Sequence, residues 1–318
     1  MEQHDLTEEI SHLQDDSPLS DLSEEEDCNE SPIPAPPLPA PVFAFQNGIS
    51  AFCFSLTGRS HLERDLPCQD RCGLRFLPSG ILIAGVADGV GQCFLSDHGA
   101  DAAVHAALDF LESRLESLPD RMTLDAEQMT PFLRESMQHA LSAVERRAAE
   151  LEQLPYSFQS TLSIAVYDGS NLFFAHAGDD GIIALRQDGT CALLTTRHKG
   201  KAASSVYPLQ SRSTWEFGQI KDVAAFAMVT DGVLDAFVGG ADEGSPIYDP
   251  FLEPAFSASP QSLEETGAIC QDWVEYMTSP SYQRVVRDDI TFLCVVNQSS
   301  KSASLLPVFE HKLHEDTP

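Results

Sequence analysis

The chain has 318 residues, 42% of them hydrophobic, and its 49 acidic against 19 basic side chains give a formal net charge of −30. That balance argues against partnership with nucleic acid or with anionic membrane surfaces, since both need clustered Lys and Arg. No apolar run approaches the roughly 20 residues that span a bilayer. The N-terminus lacks the basic-then-apolar order of a signal peptide, and the eight cysteines fall mostly in apolar or strand-like sequence. A cytoplasmic chain with reduced thiols is therefore expected.

The acid is unevenly placed. Residues 1–40 hold twelve Asp or Glu and no Lys or Arg, and they run into the proline-rich stretch Pro32–Pro41. Too few large apolar side chains are present to offset the entropy of ordering, so residues 1–42 read as a disordered acidic arm with a stiff linker. The arm is either a solubilising tail or a docking segment for a cationic partner. Residues 43–298 have the texture of a folded domain, and 299–318 read as a flexible tail.

Within the domain, Phe52–Leu56, Cys72–Leu77 and Ile81–Val86 are β-prone, with Pro78-Ser79-Gly80 joining the last two as a tight hairpin. A helix is expected from near Ser96, capped by Ser96 or Asp97, with Ala100, Val104, Ala107, Leu108 and Leu111 facing inward. A second is expected with Thr130 as cap and Pro131 at its first position. Thr161–Tyr167, Asn171–Ala177, Gly181–Leu185 and Cys191–Leu194 read as a four-strand antiparallel meander joined by close turns. Ala224–Val229 adds a strand, residues 237–261 an irregular excursion, and a helix over 262–278 with a strand over 290–296 closes the domain. Hairpin connections favour antiparallel sheets with the helices outside them, an α+β layered sandwich.

Four aspartate segments stand beside these strands: Gln69-Asp70, Asp88-Gly89-Val90-Gly91, Thr230-Asp231-Gly232 and Asp288-Asp289-Ile290-Thr291. A carboxylate at a strand end is rigidly held yet open to solvent. Several converging would offer hard oxygen ligands suited to Mg²⁺ or Mn²⁺.

Taken in order, these segments resemble the metal-dependent protein phosphatases of the type 2C family, most like a bacterial branch. Gly178-Asp179, Thr230-Asp231-Gly232-x-x-Asp235, Gln159-Ser160-Thr161-Leu162 and Leu194-Thr195-Thr196-Arg197-His198 add to the match, which covers about residues 48–297. The resemblance implies a four-layer α-β-β-α sandwich of two antiparallel sheets flanked by helices. It implies two Mg²⁺ or Mn²⁺ ions bridged by Asp88, one completed by Asp231 and Asp288. The other would use the Gly89 carbonyl and the Gln69-Asp70 segment, with Asp179 and Asp235 able to hold a third ion. The implied activity is hydrolysis of phosphoserine and phosphothreonine in protein substrates, opposed by a Ser/Thr kinase, by direct attack of a metal-bridging hydroxide. The negative charge is no obstacle, because bound divalent cations invert the local potential.

Three positions depart from the family pattern. Gln69 stands where Glu is frequent, Asp180-Gly181 replaces the Ser-Arg after Gly-Asp, and Val90 follows Asp88-Gly89 where some members place a histidine. A phosphate-binding arginine is sought at Arg64 or, further upstream, Arg59. His61 either lies near the site or caps a loop. Asp289 reads as a supporting or turn residue, and Asp168 and Asp188 as turn formers. The departures keep a second reading open, a phosphatase-like binding or regulatory module; a third reading is a metal-dependent hydrolase of another small phosphorylated substrate.

Overall fold

The computed structural model describes residues 33–118, 124–199, 206–237 and 251–300. Most of the acidic arm, most of the C-terminal tail and positions 238–250 of the irregular excursion lie outside the described residues. The described residues from Ala35 onward form one compact unit, within which the buried Arg71 donates to the carbonyl of Pro36 (3.1 Å) and so holds the end of the proline-rich stretch.

Among the described residues, eleven strands make two antiparallel sheets. The strands are β1 (Val42–Gln46), β2 (Ile49–Leu56), β3 (Arg71–Phe76), β4 (Leu82–Ala87), β5 (Leu162–Tyr167), β6 (Leu172–Ala177), β7 (Gly181–Arg186), β8 (Cys191–Leu193), β9 (Glu216–Ile220), β10 (Val223–Val229) and β11 (Ile290–Asn297). One sheet runs β1-β2-β11-β10-β7-β8 and the other β3-β4-β5-β6-β9. The helices are α1 (Arg59–Leu62), α2 (Ser96–Glu116), α3 (Ala126–Glu150), α4 (Asp231–Phe237), α5 (Leu252–Ser257), α6 (Leu263–Thr278) and α7 (Tyr282–Val285).

Alternation along the strands builds two cores. On β11, Leu293 and Val295 face the partner sheet, where they meet Leu82, Ala84 and Val86 of β4, flanked by Phe226 and Met228 from β10 of their own sheet. Ile290, Phe292, Cys294 and Val296 face the other way, onto the layer holding Val233, Leu252, Phe256, Cys270 and Met277. With period-2 alternation and both faces apolar, these strands are buried throughout. The far side of the second sheet is covered by α2, where Gly73 leaves room for Leu108: a Cβ there would come within 2.8 Å of it. The four-layer α-β-β-α arrangement is thus the observed fold. No helix among the described residues is long and apolar enough to cross a membrane, and the seven described cysteines are free thiols.

Four expectations are corrected. The first strand pair begins earlier, because Asn47 (φ 53°) and Gly48 (φ 76°) turn β1 back onto β2, the conformation that hairpins of two-residue loop favour. α3 starts at Ala126, not Pro131: Asp125 is its cap, its carboxylate accepting from the Gln128 amide (2.9 Å), and Pro131 lies inside the helix. Similarly α2 begins at Ser96 as expected, but its cap position is Leu95, with no side-chain cap bond. The meander is split, β5 and β6 belonging to one sheet and β7 and β8 to the other. Gly178-Asp179-Asp180 is therefore a crossing between sheets. Gly178 (φ +128°) makes it possible, since a Cβ there would lie 2.4 Å from Thr161.

Candidate metal centre

Antiparallel pairing puts the start of one strand beside the end of its partner, and this gathers the aspartates at one edge of the sandwich. Asp88 follows β4 and Asp70 precedes β3, whose Arg71 pairs with Ala87. Asp231 opens α4 just after β10, and Asp288 precedes β11, whose Phe292 pairs with Val229. Asp179 lies in the crossing from β6 to β7. Asp88, Asp179, Asp231, Asp235 and Asp288 line a cleft of about 570 Å³ together with Gln69, Gly89 and Lys199. One carboxylate oxygen from each of Asp88, Asp179 and Asp231 lies within 4.8 Å of the others.

The walls are tightly fixed. The Asp88 amide donates to Thr161 Oγ1 (2.7 Å) and the Thr161 amide donates to the Asp88 carbonyl (2.8 Å). At Gly89 a Cβ would sit 2.8 Å from Gln69 Cβ and Ser96 Oγ, so only glycine fits there. Asp70 is buried behind the wall and accepts from Thr230 Oγ1 (2.8 Å); Gln69 is the member of its pair that lines the cleft.

Asp289 is the main support. Its Oδ1 accepts from the Gly58 amide (2.7 Å), and its Oδ2 accepts from the Gln69 amide (2.6 Å) and binds His61 Nδ1 (2.9 Å). His61 is thus buried against Asp289 and does not line the cleft. Arg64 is exposed, with Nε donating to the Ser60 carbonyl (2.9 Å), and it too is absent from the lining.

Among the described residues, the cations that reach the site are Arg197 and Lys199, from the segment after β8. Lys199 Nζ lies 3.1 Å from Asp235, 3.5 Å from Asp179 and 3.9 Å from Asp231. Arg197 is paired with Asp235 Oδ1. Behind Asp179, the fully buried Asp180 accepts from Ser163 Oγ (3.1 Å), which also binds His176 Nδ1 (2.8 Å).

Crowded, buried carboxylates resist ionisation. Burial, then the neighbouring charge of Asp179 and Asp288, pushes Asp231 up to about 7. Asp88 is raised by burial and by Asp70 and Asp231, and Asp70 by burial and Asp289. Burial raises Asp180 too, with Asp179 adding to it. The hydrogen bond to Asp289 raises His61 against the opposing effect of burial. Only dense positive charge would let all these acids ionise together.

The sequence profile described as protein phosphatase 2C matches residues 57–279. The chain belongs to the protein phosphatase 2C family. That places it among enzymes, the protein phosphatases. A curated relative, serine/threonine-protein phosphatase 3 of Escherichia coli K12, is 23% identical over 250 residues, covering 74% of this chain and 94% of the relative. Among solved structures, the serine/threonine phosphatase Stp1 from Staphylococcus aureus superposes with a TM-score of 0.54 at 14% identity, over 77% of this chain and 94% of its own. The catalytic domain of the phosphatase PstP in complex with two manganese ions gives 0.53 at 16% identity, over 78% and 97%. At these identities the solved structures speak for the phosphatase 2C fold, which the two-sheet sandwich shares.

Proposed function

We propose that this phosphatase 2C is a Mg²⁺- or Mn²⁺-dependent protein serine/threonine phosphatase whose centre is the carboxylate cleft. The observation that carries the reading is the convergence of Asp88, Asp179 and Asp231 within 4.8 Å in that cleft. The donor set fits hard divalent ions: it is all oxygen, rigidly backed and electrically frustrated without them. Asp88 would hold both ions, Asp231 and Asp288 one of them, and the Gly89 carbonyl the other, with Gln69 and Asp70 at its side. When bound, the ions supply an activated water and screen the phosphoryl oxygens of the ester. The reciprocal hydrogen bonds of Asp88 and Thr161 keep the cradle rigid, which would hold a phosphate ester in one orientation for in-line attack. Asp289 holds the backbone of Gln69 and Gly58 in register with Asp288. No side-chain nucleophile is needed.

A phosphoprotein substrate and an opposing Ser/Thr kinase follow from the family, and a cytoplasmic setting from the reduced-thiol composition. Manganese-dependent release of phosphate from a phosphothreonine peptide is the test. Replacing Asp88 with Ala should abolish it, and unchanged turnover in that variant would sink the proposal. The amide of Gln69 in the cleft favours one alternative, a phosphatase-like binding module. Calorimetry with Mn²⁺ separates the two, since absence of binding at millimolar metal is the signature of the module.

A further inference from the structure

We infer that Lys199 is the third cation of this centre: its ammonium takes the place between Asp179, Asp231 and Asp235, so the chain holds two divalent ions, not three. The inference rests on the two-ion reading above. Nζ stands 3.1, 3.5 and 3.9 Å from the three carboxylates. A divalent ion using the same oxygens would have to displace it. The lysine is delivered, not merely near. Its segment is pinned on several sides: the His198 amide donates to the Gly178 carbonyl in the sheet crossing (2.8 Å), and the Tyr207 amide donates to the His198 carbonyl (2.9 Å). Glu216 of β9 accepts from the Thr196 amide (3.0 Å) and binds His198 Nε2 (2.9 Å). Lys199 itself bridges to Val206.

Arg197, two residues earlier, holds the other oxygen of Asp235 and so turns that carboxylate toward the lysine. The swap also accounts for a departure in the sequence. Where the family pattern continues Gly-Asp with Ser-Arg, this chain has the uncharged Gly181 at the arginine position and Asp180 before it. The positive charge missing from the sheet crossing is restored from the opposite loop. An ammonium is a compact point charge on a flexible stem, the form of cation that can sit among three carboxylates without fixed coordination geometry.

The test counts ions. Free Mn²⁺ is measured by electron paramagnetic resonance as metal is titrated into the full chain, the Lys199→Met and Lys199→Gln variants, and Lys199→Met carrying Asp235→Asn, each checked for a native thermal transition. The expected result is two ions for the wild type, and a third in both single variants, bound at least tenfold more tightly than any third ion of the wild type. That third ion is lost again with Asp235→Asn. A wild type that takes three ions, or variants that still take two, overturns the assignment and leaves the two-ion reading standing. A folded wild type that binds fewer than two overturns that reading, and this inference with it.

Discussion

Removing the carboxylate of Asp289 is the sharpest test of how the site is held. It accepts from the amides of Gly58 and Gln69 and binds His61, at 2.7, 2.6 and 2.9 Å, all in buried surroundings. Each hydrogen bond to a charged acceptor contributes roughly 1.5–3 kcal/mol, and a buried donor left without a partner costs about 1–3 kcal/mol. Allowing for water entering the gap, Asp289→Ala should lose about 4 kcal/mol, and Asp289→Asn, which keeps one acceptor oxygen, about 2 kcal/mol. Urea denaturation in EDTA reads both without interference from metal. The difference should also depend on pH. His61 has its folded pKa raised through Asp289, so its contribution is full below the unfolded value near 6.5 and fades as pH rises through the folded one. Asp289→Ala should therefore cost more at pH 6 than at pH 8. A loss under about 1 kcal/mol, flat with pH, would refute the clamp as a determinant of the site.

Two further outcomes follow from the same edge of the sandwich. A Cβ at Gly232 would lie 2.2 Å from the Asp289 carbonyl oxygen, and one at Gly58 would lie 2.1 Å from the Asp288 carbonyl. Gly232→Ala and Gly58→Ala should each destabilise by about 1–3 kcal/mol, and Mn²⁺ affinity measured by calorimetry should fall with them, because the backbone carrying Asp288 must move. In EDTA, Asp231→Asn should stabilise the protein at neutral to alkaline pH. Asp231 is raised from 3.8 to about 7, so its contribution to stability is present below the unfolded value and lost as pH climbs to the folded one, up to about 4 kcal/mol. Thermal melts should show this advantage shrinking by more than half at pH 5 and reversing when Mn²⁺ is added. An advantage indifferent to pH would contradict the burial argument.

Much of this was legible in the sequence, for a physical reason. Runs such as Ile81–Val86 and Ala224–Val229 can only be buried strands, and an aspartate at the end of each has to surface where the strand does. The partition of strands between sheets was not legible. Gly178-Asp179-Asp180 uses the same residues as a hairpin turn, and what makes it a crossing is its contact with Thr161, seventeen residues away. The start of α3 was misplaced because Thr130-Pro131 imitates a capped first turn, whereas Asp125 is the cap that forms. Asn47-Gly48 is a two-residue hairpin signal with left-handed backbone at both positions. Lys199 and Arg197 carry no local pattern at all, for their meaning lies in carboxylates that only the fold brings within reach.

The position of β11 has a consequence for how this protein comes into being. It is the last strand among the described residues, yet it lies inside its sheet, between β2 and β10. Until residues 290–297 have left the ribosome, the earlier strands wait with a gap between β2 and β10, and neither Asp288 nor Asp289 can take its place. Non-local pairing of this kind comes late in folding. Synthesis that stops short of Asp288 yields no half-strength product: the sheet stays open and the centre has no fourth side. A closed carboxylate cleft thereby reports that β11 has been made and docked.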